Sequence, residues 1–308
     1  MKRHFNDMQI GSIELFCLAA EHKSFTIAAA KAGVTPTAVS RSIGRLESRM
    51  GVKLFSRTTR RVNLTDAGQQ YFEQCSHALA QLIDAEQCVM GRQNKPAGLI
   101  RISLPVTYGH IRIFPLLTEF KALYPDVLFD VNLSNRNVDF IGEGYDISIR
   151  VRQQPDSSLI ARHFEDLDLI TIASPKYLAS RSIPMVLEDL AYHDCIQFKL
   201  PSTGINIPWV FNTAEGLCEV NTKGSFRCSE DLVAGVTLAV NGAGLFQSYR
   251  LFAEDDIKAG RLVEVLKDYS GATRPYTILY PGNKLMPLRL RVFIDFLISK
   301  RDANLPEK

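Results

Sequence analysis

Residues 24–68 read SFTIAAAKAGVTPTAVSRSIGRLESRMGVKLFSRTTRRVNLTDAG, and the architecture of the amino-terminal third follows from this stretch. Ser24 is a natural N-cap for an Ala-rich helix over Phe25–Ala32, and Gly33 can take the left-handed conformation that ends it. Thr35 caps again, and Pro36 falls in the first turn of the next helix, where its missing N–H costs nothing. That second helix runs to about Met50 and stops at Gly51. Its apolar stripe is Val39, Ile43, Leu46 and Met50, at helical spacing, and its opposite face presents Thr37, Ser40, Arg41, Ser42, Arg45 and Arg49. Lys53-Leu-Phe then leads into Arg57-Thr-Thr-Arg-Arg-Val-Asn-Leu, which reads as a short hairpin or wing.

Charge follows the same pattern. From Lys31 to Arg61 there are eight basic residues and one acid, Glu47, a local excess of +7. The whole chain of 308 residues carries only +3, with +5 in residues 1–95 and −2 in the remainder, so the basic excess belongs to one module. A compact cationic surface of this kind is an electrostatic footprint for double-stranded DNA. A helix laid in the major groove needs small and hydrogen-bonding groups near its start. Thr35, Pro36, Thr37, Ala38, Ser40 and Arg41 supply them, with Arg41 or Arg45 able to fork onto guanine. Arg57, Arg60 and Arg61, with Thr58 and Thr59, suit phosphate contact or minor-groove entry, which positions rather than specifies. Phe25 and Ile27 are expected to hold the supporting helix, and Ile13–Glu21 is a further helix before it.

Thr65-Asp66 caps a long helix that reaches about Gly91. Tyr71, Cys75, Ala78, Leu82, Ala85 and Val89 alternate in a heptad rhythm, widened by Phe72, Leu79 and Ile83. Such a helix needs a partner, and a second copy of the chain is the simplest one. Gly91–Gly98 is a polar, turn-rich hinge. Beyond it, strand-like runs at Leu99–Leu104, Val127–Leu133, Ile147–Val151, Leu169–Ala173, Cys195–Phe198, Ser225–Cys228, Leu262–Leu266 and Tyr276–Tyr280 alternate with helical patterns at Ile111–Tyr124, Leu232–Asn241 and Leu288–Ser299. Alternation of this sort predicts an α/β domain with largely parallel sheets.

The run A-A-x-x-x-x-V-T-x-x-A-V-S-R-x-I-x-x-L-E-x-x-x-G-V-x-L-F-x-R within residues 24–68 resembles the winged helix-turn-helix of LysR-type transcriptional regulators. Residues 97 to about 300 resemble the effector domain of that family through GLIRISLPVTYG, FKALYPDVLFDVNLS, DISIRV, ASPKYL and VNGAGLFQSYRLFAEDDIKAGRLVEVL. The resemblance covers nearly the whole chain. One departure is Pro36, where many members have Gln; proline cannot make a bidentate adenine contact, so apolar readout is expected there.

The resemblance implies a multidomain α and α/β protein. It has a winged helix-turn-helix over residues 1–65, a linker and dimerisation helix over 66–93 and a hinge over 94–98. A two-lobed type 2 periplasmic-binding-protein-like effector domain follows over 99–303. Lobe I would take about 99–165 and 270–303, lobe II about 166–269, with crossovers near Arg162–Leu169 and Lys267–Pro275. A small, anionic effector would sit between the lobes, at strand ends and helix starts. By position the cleft is lined by Pro105, Val106, Thr107, Tyr108, Ser134, Asn135, Arg150, Phe198, Phe246 and Gln247, with Arg150 as carboxylate clamp or as a structural ion pair, for instance to Asp146. Dimerisation falls to Tyr71, Cys75, Ala78, Leu82 and Val89. The implied partners are an interrupted DNA palindrome, a small effector, a second copy in a homodimer or homotetramer, and RNA polymerase as a further candidate.

The six cysteines form no C-x-x-C pair and the six histidines no pair at ligand spacing, so no metal or other cofactor is expected. No nucleophile elbow or phosphate-binding loop points to an enzyme. No secretory signal or membrane span is read, so the expected location is cytoplasmic. The alternative function is a ligand-independent DNA-binding repressor whose second domain only oligomerises. A transporter's solute-binding protein is disfavoured by the basic amino-terminal module.

Overall fold

The computed structural model describes residues 10–58, 61–90, 95–136, 143–151, 159–200, 204–282 and 286–302, and the chain divides into two compact units, residues 1–94 and 95–308.

The first unit is built on α1 (Ile10–His22), α2 (Phe25–Ala32), α3 (Pro36–Met50), the hairpin β1 (Phe55–Thr58) and β2 (Arg61–Leu64), and the long α4 (Asp66–Val89). The caps read from the sequence are in place. Ser24 Oγ accepts from Ile27 N at 3.3 Å, Thr35 Oγ1 accepts from Ala38 N at 3.2 Å, and Gly33 has φ 67°. Phe16, Ala19, Ala28, Val39, Ile43, Leu46 and Leu54 close a core into which α4 sends Tyr71, Phe72, Cys75 and Leu79. The Phe16 ring lies 5.3 Å from that of Tyr71 and 5.4 Å from that of Phe55. Burying such side chains contributes about 1.5–3 kcal/mol each, which is what makes a unit this small hold together.

The second unit centres on one seven-stranded sheet. Its strands are β3 (Gly98–Leu104), β4 (Val127–Leu133), β5 (Ile147–Val151), β6 (Leu159–Ala173), β11 (Phe246–Tyr249), β12 (Val263–Val265) and β13 (Thr273–Pro281). They lie in the order β11-β6-β13-β5-β3-β4, with β12 also paired to β6. The expected largely parallel arrangement is corrected. Only β3 with β4 and β3 with β5 run parallel in this sheet, whereas β13 is antiparallel to both β5 and β6, and β11 and β12 are antiparallel to β6. Arg162–Leu169, read as a crossover, is the middle of the continuous 15-residue β6, whose last third alone was expected as a strand. The second expected crossover, Lys267–Pro275, becomes a short 3-10 turn at Lys267–Tyr269 and the start of β13. Two further strand pairs belong to the second lobe. One is β7 (Gln197–Lys199) parallel to β10 (Arg227–Ser229); the other is a hairpin of β8 (Trp209–Thr213) with β9 (Gly216–Val220) that the sequence did not announce.

Two cores flank the crossing strands. One packs Ile100, Ile102, Leu104, Ile147, Ile149 and Ile278 against helix α6 (Phe114–Leu123) and the carboxy-terminal helix Leu288–Asp302 through Phe120, Phe293 and Leu297. The other packs Ile170, Ile172, Ile196 and Phe246 against helix Leu232–Val240 through Val236 and Ala239, with Trp209, Phe211 and Tyr177 in an adjoining cluster. α6 is preceded by the single turn α5 (Val106–Tyr108) and a π-helical turn, Gly109–Ile113, so the helical run starts five residues earlier than the sequence indicated. No helix among the described residues is long and apolar enough to cross a membrane.

Candidate nucleic-acid interface and ligand cleft

On α3, Thr35, Pro36, Thr37, Ala38, Arg41 and Arg45 are exposed and Ser40 is half-buried, so the residues expected to read base edges form one accessible face. Ser42, assigned to that face, is instead buried and donates to Ser12 Oγ on α1 at 2.8 Å. Met50, expected on the inward stripe, is half-buried at the helix end. The β1–β2 ladder pairs Phe55 with Leu64, Ser56 with Asn63, Arg57 with Val62 and Thr58 with Arg61, which makes the wing a true hairpin. Arg60 lies outside the described residues, as do the side chains of Arg57 and Arg61.

Glu47 is a residue that charge counting undervalued. It is 2% exposed, and its carboxylate accepts from Leu54 N at 3.0 Å, Phe55 N at 3.2 Å and Lys53 Nζ at 2.7 Å. Burial by itself raises a carboxyl pKa, but the bonds from Lys53 and the two backbone N–H groups outweigh it and hold Glu47 below the usual carboxylate range.

The linker seam divides in two. Tyr71 and Cys75 are half-buried against the head's own core and do not form a free face, because Phe16 occupies the space beside them. Ala78 is exposed, as are Leu82 at 51%, Ile83 at 54%, Val89 at 77% and Met90 at 58%. The distal half of α4 therefore carries an apolar face with no partner inside the described part of its own chain.

In the second unit the carboxyl ends of β3, β4 and β5 lie side by side, since Leu104 pairs with Leu133 and Ser103 with Ser148. The Pro105–Thr107 turn and Ser134–Asn135 extend from that edge. Asn135 Oδ1 accepts from Val106 N at 3.1 Å, which fixes the two loops to each other. From there the edge reaches the opposite lobe. Thr107 donates to Asp231 Oδ1 and Asn135 Nδ2 donates to the Glu230 carbonyl. Asp231 simultaneously caps helix Leu232–Val240 through Val233 N at 3.1 Å, and Glu230 turns into it with φ 67°. Asp231 escaped the sequence reading, although an Asp directly before an apolar helical run is an N-cap signal.

Arg150 is 4% exposed and hydrogen-bonds no carboxylate among the described residues, so the ion pair considered with Asp146 or a glutamate is not a hydrogen-bonded one, although the Glu143 charge favours the cation. Its guanidinium donates to the Ser103 and Ile149 carbonyls at 3.0 and 2.7 Å and to Ser103 Oγ at 2.7 Å, while Nε and the neighbouring Ser148 Oγ have no hydrogen-bond partner. Burial pulls its pKa down to about 10, so the group stays a cation at neutral pH.

Four expected cleft residues serve other ends. Tyr108 is fully buried, stacked on Tyr276 at 4.0 Å, with its hydroxyl on Glu165, which Arg112 also holds at 3.1 Å. Burial and the Glu165 charge push the Tyr108 phenol pKa well up. Phe198 and Phe246 belong to the second core. Gln247 pairs with both the N–H and the carbonyl of Val210 at 2.9 Å, so its amide is spent on holding β8. What converges at the sheet edge is Pro105, Val106, Thr107, Ser134, Asn135 and Arg150.

With this geometry in hand, comparison with known proteins identifies the chain. Residues 93–302 match the family described as LysR substrate binding domain, and residues 10–69 match bacterial regulatory helix-turn-helix protein, lysR family. The chain belongs to the LysR family of transcriptional regulators. It is 32% identical over 306 residues to HTH-type transcriptional regulator CrgA of Neisseria meningitidis serogroup C, covering 97% of this chain and 99% of that protein. An HTH-type transcriptional regulator of Xanthomonas campestris pv. campestris is 32% identical over 291 residues, 93% of this chain and 83% of the relative. Among solved structures, CrgA from Neisseria meningitidis superposes with TM-score 0.60 at 29% identity over 96% of this chain and 99% of that one. The full-length Vibrio cholerae virulence activator AphB does so with TM-score 0.58 at 28% identity over 95% and 99%. LysR-type regulators bind DNA and small effectors and form oligomers, and the winged head followed by the two-lobed domain is the architecture of that family.

Proposed function

We propose that this LysR-type regulator binds an interrupted palindrome as a homodimer, or a homotetramer built from it, and responds to a small anionic metabolite held between the lobes of its second unit. The proposed division is a DNA-binding head to about residue 65, the linker helix 66–93, a hinge 94–98 and the effector domain 99–303. The observation that carries the anionic reading is Arg150, a buried cation with an unspent Nε beside Ser103 and Ser148 at the sheet edge where Thr107 and Asn135 reach the other lobe. Burying a charge is costly, and a carboxylate or similar oxyanion would compensate it more fully than the carbonyl and hydroxyl oxygens that Arg150 now holds. Ligand shifts transcription only through a different affinity for two lobe arrangements.

A thermal-shift screen of carboxylic and phosphorylated metabolites tests this. Stabilisation by RT ln(1 + [L]/Kd) is expected for at least one oxyanion, and Arg150→Gln is expected to abolish it while the apo melting temperature stays within a few degrees. Stabilisation that persists in Arg150→Gln would refute the clamp. If no compound stabilises the protein while DNA binding stays intact, the repressor whose second unit only oligomerises is the better reading.

On the DNA side, Arg41→Ala is expected to weaken specific binding by about 1–3 kcal/mol and to relax base preference at one position of each half-site. Fluorescence anisotropy on duplexes recovered from a random pool by the native protein measures it. Unchanged affinity and preference would show that Arg41 contacts no base.

A further inference from the structure

The exposed face of α3 is cationic, yet its one acid, Glu47, is turned inward and almost fully buried. Its Oε1 accepts from the N–H groups of Leu54 and Phe55, at 3.0 and 3.2 Å, and Phe55 is the first residue of β1, where the wing begins. Its Oε2 holds Lys53, a residue whose side chain is 75% exposed. The Leu54 carbonyl in turn accepts from Thr65 N at 2.9 Å, at the wing's other end. The link from α3 to β1, Gly51–Leu54, has no helix or strand of its own. One side chain of α3 thus grips the backbone at the root of the hairpin, with charge-assisted bonds that outlast neutral ones. Filling that space needs no charge, and burying a carboxylate carries a desolvation cost that a hydrophobic side chain avoids. The feature an apolar residue lacks is directional hold on two adjacent amides.

We infer that Glu47 is a positioning residue for DNA binding: it fixes the wing relative to α3 so that both elements meet the duplex in register. The inference rests on the reading of the wing as a phosphate-contacting element, for which Arg57 on β1 is the test position. The length of the side chain matters more than its charge, because the reach to Leu54 N and Phe55 N sets the angle.

The test uses the full chain with Glu47→Gln, Glu47→Asp and Glu47→Ala, on the duplex recovered from a random pool by the native protein. Glutamine keeps an acceptor at the same reach and is expected to stay within about twofold of native affinity. Aspartate keeps the charge but withdraws it by one methylene. It is expected, like alanine, to lose about tenfold in affinity and to lower the slope of log affinity against log salt by about 1–2, with the base preferences read by α3 unchanged. Loss of wing phosphate contacts produces that signature, whereas general loosening of the head erodes base preference as well. If alanine fails to fold, the Asp–Gln pair carries the same comparison. Native behaviour of Glu47→Asp with loss in Glu47→Gln would overturn the inference in favour of a charge effect, and a full salt slope in both would overturn it outright. Arg57→Ala separates the two layers. An unchanged slope there defeats the wing reading and this inference with it, while a reduced slope beside a native Glu47→Asp defeats only the positioning role.

Discussion

Gly68→Ala is expected to destabilise the amino-terminal unit by about 3 kcal/mol, a loss of roughly 12–24 °C in its melting transition, although the change adds a single methyl. Gly68 sits in the first turn of α4 at the point where that helix presses on the wing root. A Cβ built there falls 2.0 Å from the Leu54 carbonyl oxygen and 2.9 Å from its carbon. The obstacle is backbone, so no rotamer change relieves it, and the carbonyl is the one that accepts from Thr65 N at 2.9 Å. To admit the methyl, α4 must retreat from Leu54, which strains the Thr65 cap on Gly68 N at 3.0 Å and the packing of Tyr71 and Phe72 on Phe16. Gly44→Ala is the matched control. It lies inside α3 with nothing within 4 Å of the added carbon, so helix propensity alone predicts a gain of about 0.5–1 kcal/mol. Scanning calorimetry of the full chain resolves both. A shift below about 2 °C for Gly68→Ala would mean that α4 does not press on the wing root in solution.

The second large effect is on assembly. Leu82→Asp places a charge in the exposed apolar face of α4, and a symmetric dimer carries the change twice. Losing the burial of one leucine removes about 1.5–3 kcal/mol per copy, and desolvating the carboxylate adds to it. The dimerisation constant should therefore weaken by more than about 100-fold, read by sedimentation. Operator binding should fall with it, because the second head no longer benefits from the effective concentration that the first supplies. Leu79→Asp is the informative contrast. Leu79 packs against the head's own core, so its replacement should unfold the head instead of separating copies. If Leu82→Asp sediments as the native protein does, the pairing surface lies elsewhere on the chain.

That contrast marks where the sequence could be read and where it could not. Val39, Ile43 and Leu46 announced the inner face of α3, and Thr35 and Gly51 its boundaries, because stripes and caps are set by residues a few positions apart. Ser42 was misplaced, and Glu47 given no place at all, for the opposite reason. A polar residue is inward only when a partner waits there, and theirs are Ser12, 30 positions away, and the amides of Leu54 and Phe55 beyond the helix end. Tyr71 and Cys75 fit a heptad perfectly well, but periodicity does not say whether a seam meets another copy or its own α1. In β6 the segment Arg162–Leu169 was expected, from the family resemblance, as a crossover between lobes. Its backbone up to Asp168 is paired with strand Thr273–Pro281, and Glu165 turns inward to Tyr108 and Arg112. At the candidate cleft the loops named from the sequence do follow the ends of β3 and β4. The engagements of Phe246 and Gln247, beside the Gly242–Gly244 turn, were not legible, since nothing local records that Gly235 leaves room for a phenyl ring or that Val210 claims the amide.

β6 remains laddered along its whole length, to β13 over Leu159–Asp168 and to β11 over Leu169–Ile172. A strand so tethered offers no swivel point. Sliding one lobe past the other would break ladder bonds, whereas flexing the ribbon across its flat face preserves them. The register slips by one residue at Phe164, between the Tyr276–Glu165 and Thr277–His163 pairs, and a bulge is where a sheet bends with least resistance. A movement that keeps these ladder bonds would flex the ribbon at Phe164, next to Glu165, on which the Tyr108 hydroxyl is anchored.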